Sequence, residues 1–149
     1  MTKTPMDHAL MEAEAAATRG EVPVGAVIVD PATRTVVAAA GNRTRELNDP
    51  TAHAEILAIR AACTALGQER LTGLDLYVTL EPCAMCAGAI SFARLRRLYF
   101  GADDPKGGAV SHGPRFYSQP TCHHAPDVYD GIGTEAAARL LRDFFAGRR

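Results

Sequence analysis

The chain carries no excess of charge of either sign: 16 Lys and Arg stand against 17 Asp and Glu, a formal net charge of -1 over 149 residues. A global positive field that would draw it to nucleic acid is therefore excluded, and any phosphate contact must come from local groups. Long apolar runs are missing as well. The longest, Ala26 to Val29 and Val36 to Ala40, fall far short of the roughly 18 residues of a membrane-spanning helix. The opening Met1-Thr2-Lys3-Thr4-Pro5 lacks the apolar stretch of a secretory signal, so no membrane partner is expected and the cytoplasm is the expected compartment. There is no internal repeat or low-complexity segment, and 13 Gly and 9 Pro give no reason to invoke disorder. Cysteine is scarce. In a reducing compartment four cysteines make the close pair Cys83 and Cys86 a metal or redox candidate before a structural disulfide.

What is present is 47% hydrophobic residues, enough for one compact domain over residues 1–149 and too little for two. Thr4, Pro5 and Asp7 read as a helix start, with Met6, Leu10, Ala13 and Ala17 at helical spacing up to Gly20. Val24 to Val29 and Thr35 to Ala40 read as a hairpin. Thr51 is the expected cap of a helix whose apolar positions are Ile56, Leu57, Ile59, Ala62, Cys63 and Leu66, ending at Gly67. Leu74 to Leu80 makes a third strand, Pro82 opens a helix to about Phe92, and Leu95 to Phe100 makes a fourth strand. Residues 102–133 form a long Gly-, Pro-, His- and Asp-rich loop containing a short edge strand at Val128-Tyr129. Thr134 then caps a last helix with an apolar stripe of Leu140, Leu141, Phe144 and Phe145. A hairpin followed by strand–helix units predicts an α/β protein, a three-layer α/β/α sandwich around a mixed sheet of about five strands.

The chemistry lies in His53-Ala54-Glu55 and Pro82-Cys83-Ala84-Met85-Cys86, that is, H-x-E followed by P-C-x-x-C. One imidazole and two thiolates suit zinc, and three protein ligands leave the fourth tetrahedral position open to water, as in a catalytic site. Helix N-termini favour the ionised cysteines, and Cys83 and Cys86, three apart, share a helical face, with His53 coming from a second helix across the sheet. His53 and Glu55 are about 200° apart on an ideal helix, so only the less regular first turn lets both face one point. Glu55, not a ligand, fits a general acid/base. Alone, H-x-E reads as a capping pair, and C-x-x-C reads equally as a redox pair or half of a structural zinc site. Together they are far more specific, although a structural site completed by His112, Cys122, His123 or His124 stays open.

H-x-E with P-C-x-x-C is the signature of the zinc nucleobase deaminases. With Val22-Pro23-Val24-Gly25-Ala26-Val27, Gly41-Asn42-Arg43, Asp49-Pro50-Thr51, Leu76 to Glu81, Tyr99-Phe100-Gly101-Ala102 and Phe144-Phe145, the chain resembles the bacterial tRNA-specific adenosine deaminases of the cytidine/deoxycytidylate deaminase superfamily along nearly its whole length. The resemblance implies one zinc per subunit on His53, Cys83 and Cys86. It implies Glu55 as the catalytic residue, a homodimer, and conversion of adenosine to inosine at the wobble position (34) in the anticodon stem-loop of an arginine tRNA. It further implies that Asn42 bonds the flipped base, that Val24 and Leu80 line its pocket, and that Asp104 and Lys106 meet the neighbouring ribose and phosphate. Leu80 stands where some members carry an aromatic residue. Read without the resemblance, Val24 and Leu80 are core, Asn42 is a turn residue, and Arg94, Arg96, Arg97, Arg139, Arg142, Arg148 and Arg149 are a solvated basic set. Two rival functions remain: a small-molecule guanine or cytosine deaminase, and a non-catalytic zinc module.

Overall fold

The computed structural model describes residues 3–147, so Arg148 and Arg149 of the basic set lie outside the described residues, as do Met1 and Thr2. Helix α1 (Pro5–Thr18) starts where its capping signals put it: the Asp7 N–H donates to the Thr4 hydroxyl at 3.1 Å and the Thr4 N–H to the Asp7 carboxylate at 2.9 Å. Strands β1 (Gly25–Asp30) and β2 (Thr35–Gly41) form the expected antiparallel hairpin, with a bulge between Ile28 and Val29. Helix α2 (Ala54–Leu66) and strand β3 (Asp75–Leu80) follow, then helix α3 (Ala84–Phe92) and strand β4 (Arg97–Ala102). The loop after β4 carries one 3-10 turn (Phe116–Ser118) and the short strand β5 (Asp127–Tyr129), and helix α4 (Thr134–Ala146) ends the fold.

The sheet runs β2-β1-β3-β4-β5; β1 is antiparallel to both neighbours, while β3, β4 and β5 are parallel. The mixed five-stranded sheet and three layers are those expected. Alternation along the strands divides the core. Ala26, Ile28, Leu76, Val78, Leu98 and Phe100 pack with Ala54, Ala58 and Ala62 of α2 and Ile90 of α3, whereas Val27 and Val29 pack with Met6 and Ala9 of α1. The two ligand-bearing helices thus share one face of the sheet, and His53 does not come from across it as expected.

Several expected core stripes are displaced. In α1 the buried line is Met6, Ala9, Ala13 and Ala16, not one through Leu10 and Ala17, because the helix lies directly on Gly25 and Gly41. A Cβ at Gly25 would collide with the Ala9 carbonyl and come within 2.6 Å of the Ala13 nitrogen. Gly25→Ala is accordingly expected to destabilise the protein by at least about 2 kcal/mol, the overpacking range, readable as a lowered denaturant midpoint. In α2 the sheet side is Ala54, Ala58 and Ala62, while Ile56 and Ile59 line a cleft between α2 and α3, and Leu66 is exposed. In α4 only Ala137 is fully buried, and Phe145 is exposed. The cap of α4 is Gly133, at φ +75°, rather than Thr134, whose hydroxyl donates to the Gly101 carbonyl and ties α4 to β4.

Candidate active site

The start of β1 and the ends of β2, β3 and β4 meet at one edge of the sheet, and both ligand-bearing helices begin there. Their first residues are not where helix signals alone put them. His53, not Thr51, is the N-cap of α2, in extended conformation, and Thr51 instead bonds the Asp49 carboxylate through its N–H and hydroxyl. Because His53 stands outside the helix, the angular conflict with Glu55 disappears. Cys83 is likewise the extended N-cap of α3, so Pro82 precedes the helix instead of opening it. Neither cap residue makes a side-chain cap bond. Their side chains are turned to each other.

His53 Nδ1 lies 3.6 Å from Cys83 Sγ and 3.5 Å from Cys86 Sγ, and the three donor atoms fall within 4.8 Å of one another. A tetrahedral zinc at about 2.0–2.1 Å from nitrogen and about 2.3 Å from sulfur separates those two donors by about 3.6 Å. The residues present therefore fit the ion. No other three-residue group among the described residues does, since the Cys122 thiol bonds the His124 carbonyl at 3.2 Å and sits 3.7 Å from the Ser91 hydroxyl. Replacing Cys122 and His123 by Ala is expected to leave zinc content unchanged in metal analysis; a loss would revive the structural-site reading.

The electrostatics suit a cation. Contact with Cys86, then His53, holds the Cys83 thiol down to about 4, while the same pairing and burial push Cys86 up. Contact with Cys83 raises the His53 imidazole despite its burial. A cation held between the two sulfurs would favour both as thiolates. Glu55, 3% exposed, has its carboxyl raised to about 7, first by burial.

Beside this cluster lies a cavity of about 250 Å³ lined by Val22, Val24, Asn42, Leu80, Asp104 and Gly107 together with His53, Glu55, Glu81 and Cys83. Clefts of about 350 and 480 Å³ elsewhere contain none of the donor residues, so chemistry rather than size selects the site. Val24 is at once core, 5% exposed, and wall. Asn42 does more than turn the chain: its Oδ1 accepts the Ala54 N–H at 2.8 Å and caps α2 in place of the occupied His53. Asp104 reaches the wall, with its Oδ1 receiving the N–H groups of Lys106 and Gly107, and Lys106 is exposed and outside the lining. Two buried carboxylates were missed in the sequence. Glu21, the residue before Val22 of the lining, accepts the N–H groups of Arg45 and Glu46, and Glu81, itself in the lining, anchors the loop. The Glu directly before Pro82-Cys83 was a visible signal for the second.

The conserved-domain profile described as the cytidine and deoxycytidylate deaminase zinc-binding region matches residues 1–102, more than half of the chain and all of the donor cluster. The chain belongs to this zinc-binding deaminase family. Among the family's members it is 67% identical over 144 residues to the tRNA-specific adenosine deaminase of Agrobacterium fabrum, covering 97% of this chain and 93% of that protein. A solved structure from a study of A-to-I editing by tRNA:A34 deaminases at the wobble position of transfer RNA shares 67% identity, with a TM-score of 0.90, 92% of this chain and 98% of that one covered. A guanine deaminase from Nitrosomonas europaea superposes at a TM-score of 0.82 with 26% identity, covering 95% and 83%. The deaminase fold is thus shared across substrates, and the pocket walls must choose among them.

Proposed function

We propose that this chain, as one domain over residues 1–149, is a zinc-dependent hydrolase that converts adenosine to inosine in tRNA, at the wobble position (34) of an arginine tRNA. The observation that carries the chemistry is the three-donor cluster at zinc spacing with a buried carboxylate beside it; the likeness to tRNA adenosine deaminases along nearly the whole chain supports the substrate. Zinc, when bound to His53, Cys83 and Cys86, supplies a Lewis acid that makes water a competent nucleophile at neutral pH.

Glu55 takes the proton from the attacking water, delivers it to a ring nitrogen of the adenine and then serves the departing amine, so that water and adenosine yield inosine and ammonia. Burial raises its carboxyl above the usual carboxylate range, the direction that suits a group which both accepts and returns a proton. Asn42 has its carbonyl committed to Ala54, so toward a base it presents its amide N–H as a donor to an acceptor atom. Val24 and Leu80 provide apolar walls for the ring faces. Asp104 and Lys106, at the mouth, meet the neighbouring ribose and phosphate. A single flipped base from a single-stranded loop suits a cavity smaller than the roughly 300–1,000 Å³ of drug-sized sites.

The working form is a homodimer in the cytoplasm. Phe92, 74% exposed, lies with Ile56 and Ile59 in the cleft of the α2–α3 outer face, and exposed Met85 is also on α3, apolar surface that a second copy would cover. Among the described residues no helix is long and apolar enough to cross a membrane. The deciding experiment is inosine formation on an arginine anticodon stem-loop beside free adenosine, guanine and cytosine. Conversion of the stem-loop alone is expected; deamination of a free base with the stem-loop untouched would transfer the site to the small-molecule deaminases. Because the near-neutral chain offers few phosphate contacts, stem-loop binding is expected to show a shallow salt slope, and a steep one would contradict this.

A further inference from the structure

Glu81 is almost completely buried, 2% exposed, at the end of β3 two residues before Cys83. Its carboxylate is turned to the loop that follows β4. Oε1 accepts the Asp104 N–H at 3.0 Å and lies 2.7 Å from His112 Nδ1, while Oε2 accepts the N–H groups of Val110, Ser111 and His112 at 3.2, 2.9 and 3.1 Å. Five donors saturate a group with about four acceptor sites, so no capacity is left for a substrate or a proton in transit. Glu81 is not a catalytic residue.

The loop it holds needs a holder. Between Ala102 and His112 the sequence is Asp-Asp-Pro-Lys-Gly-Gly-Ala-Val-Ser, and only Gly108 and Ala109 of these nine residues are buried. Apolar packing fixes it only toward its end, where Ala109 is buried and Val110 is partly buried against the core. Outside the clamp the segment is held by Gly108 N–H to the Asp104 carbonyl at 2.8 Å, Ala109 N–H to the Pro82 carbonyl at 2.9 Å, Phe116 N–H to the Ala109 carbonyl at 2.8 Å, and the local turn in which Asp104 Oδ1 accepts the Lys106 and Gly107 N–H groups. Apart from the bonds at Ala109, none of these ties residues 103–112 to the rest of the fold. Gly108 passes so close that a Cβ there would collide with the Glu81 carboxylate itself. The loop carries Asp104 and Gly107 of the cavity wall, with Lys106 between them, whereas all three metal-donor residues and Glu55 sit at the starts of α2 and α3.

We infer that Glu81 is a positioning residue: its buried carboxylate clamps the 103–112 loop into the wall that meets the RNA strand flanking the target base, and so sets substrate binding without touching the reaction. The assignment rests on the proposed tRNA reading for the identity of what the wall meets. Glu81→Gln keeps size and shape but turns one oxygen into an NH₂ group facing N–H donors, which breaks part of the clamp.

The test is made on zinc-loaded protein with three readouts. For Glu81→Gln, zinc stays at one per chain, KM for the anticodon stem-loop rises about tenfold or more, and kcat stays within about threefold of wild type, the pattern of a misplaced binding wall. Amide exchange at Asp104, Val110, Ser111 and His112 accelerates while α2 and α3 keep their protection. Gly108→Ala, which pushes a methyl group at the clamp from the loop side, moves KM and exchange in the same direction and serves if the Gln variant fails to fold. Glu81→Asp, retaining the charge on a shorter arm, recovers part of the KM loss. An unchanged KM with unchanged exchange overturns the inference, as does a fall in kcat at constant KM or a loss of zinc, which would put Glu81 in the chemistry or in the metal site. Wild-type protein inactive on the stem-loop would overturn the tRNA reading instead, and the exchange experiment would still read the clamp.

Discussion

Glu55→Gln protein is expected to bind a full equivalent of zinc and to lose about 10²- to 10⁴-fold in kcat, the range for a positioned general acid/base. The two halves of that result have separate causes. Zinc is retained because Glu55 is outside the donor cluster, which His53, Cys83 and Cys86 complete without it. Turnover falls because an amide of the same size cannot accept a proton from water and return it to the leaving amine. The loss corresponds to about 2.7–5.5 kcal/mol of barrier. Since the side chain is 3% exposed and burial raises its carboxyl, replacement by a neutral amide relieves a desolvation penalty, and in the metal-free state the variant should melt no lower than metal-free wild type. Activity near wild type in the Gln variant would remove Glu55 from the mechanism.

Cys86→Ala protein is expected to emerge without stoichiometric zinc and with activity reduced at least as far as in the Glu55 variant. Cys86 is fully buried at the start of α3, and its sulfur is one of the three donors that cluster among the described residues. Two remaining ligands cannot close a tetrahedral site against solvent. Metal analysis after dialysis against a chelator distinguishes this from a folding defect, provided the helix content is unchanged. Stoichiometric zinc in the variant would mean that the ligand set is wrong. The same chemistry gives a pH dependence for wild type. Binding requires both thiolates and a neutral imidazole, and both the Cys86 thiol and the His53 imidazole have pKa values raised above their usual ones. Protons therefore compete increasingly as pH falls, so zinc affinity must drop from alkaline toward acidic pH, with the imidazole joining the competition from above its ordinary 6.5 downward. Because the metal binds the folded state, its removal should also lower the melting temperature, by the equivalent of about 2.7 kcal/mol when free zinc stood at 100 times its Kd.

How much of this was legible without coordinates depended on the range of the interaction concerned. The capping box at Thr4 and Asp7, the β1–β2 hairpin, the C-terminal stop at Gly67 and the pairing of H-x-E with P-C-x-x-C all involve residues a few positions apart or carry their chemistry in their identity. Such signals survive in one dimension. The true N-caps did not, because His53 and Cys83 are held extended by facing each other across 30 residues, and the cap that α2 lacks is supplied from the end of β2 by Asn42.

Helix faces were misread for a related reason. The apolar positions read for α1 and α2 mixed large residues with alanines, of which Met6, Ala13 and Ala62 are buried, but both helices turn mainly alanines to the sheet, because Gly25 and Gly41 let α1 lie close and Ala54, Ala58 and Ala62 do the same for α2. Phe92 is thereby left for the outer surface, and Ile59 packs at the rim of the core where it also lines the α2–α3 cleft. The sequence by itself determined the fold class, the family and the metal-donor types, and it carries the proposal of Glu55 as proton carrier, since those readings follow from side-chain chemistry and local periodicity. Only the tertiary structure decided which acceptor caps α2, which carboxylates brace the pocket walls and which apolar face stays open. Each of these depends on a buried polar group or a close backbone approach finding its partner through the sheet register, and that partner lies tens of residues away in the chain.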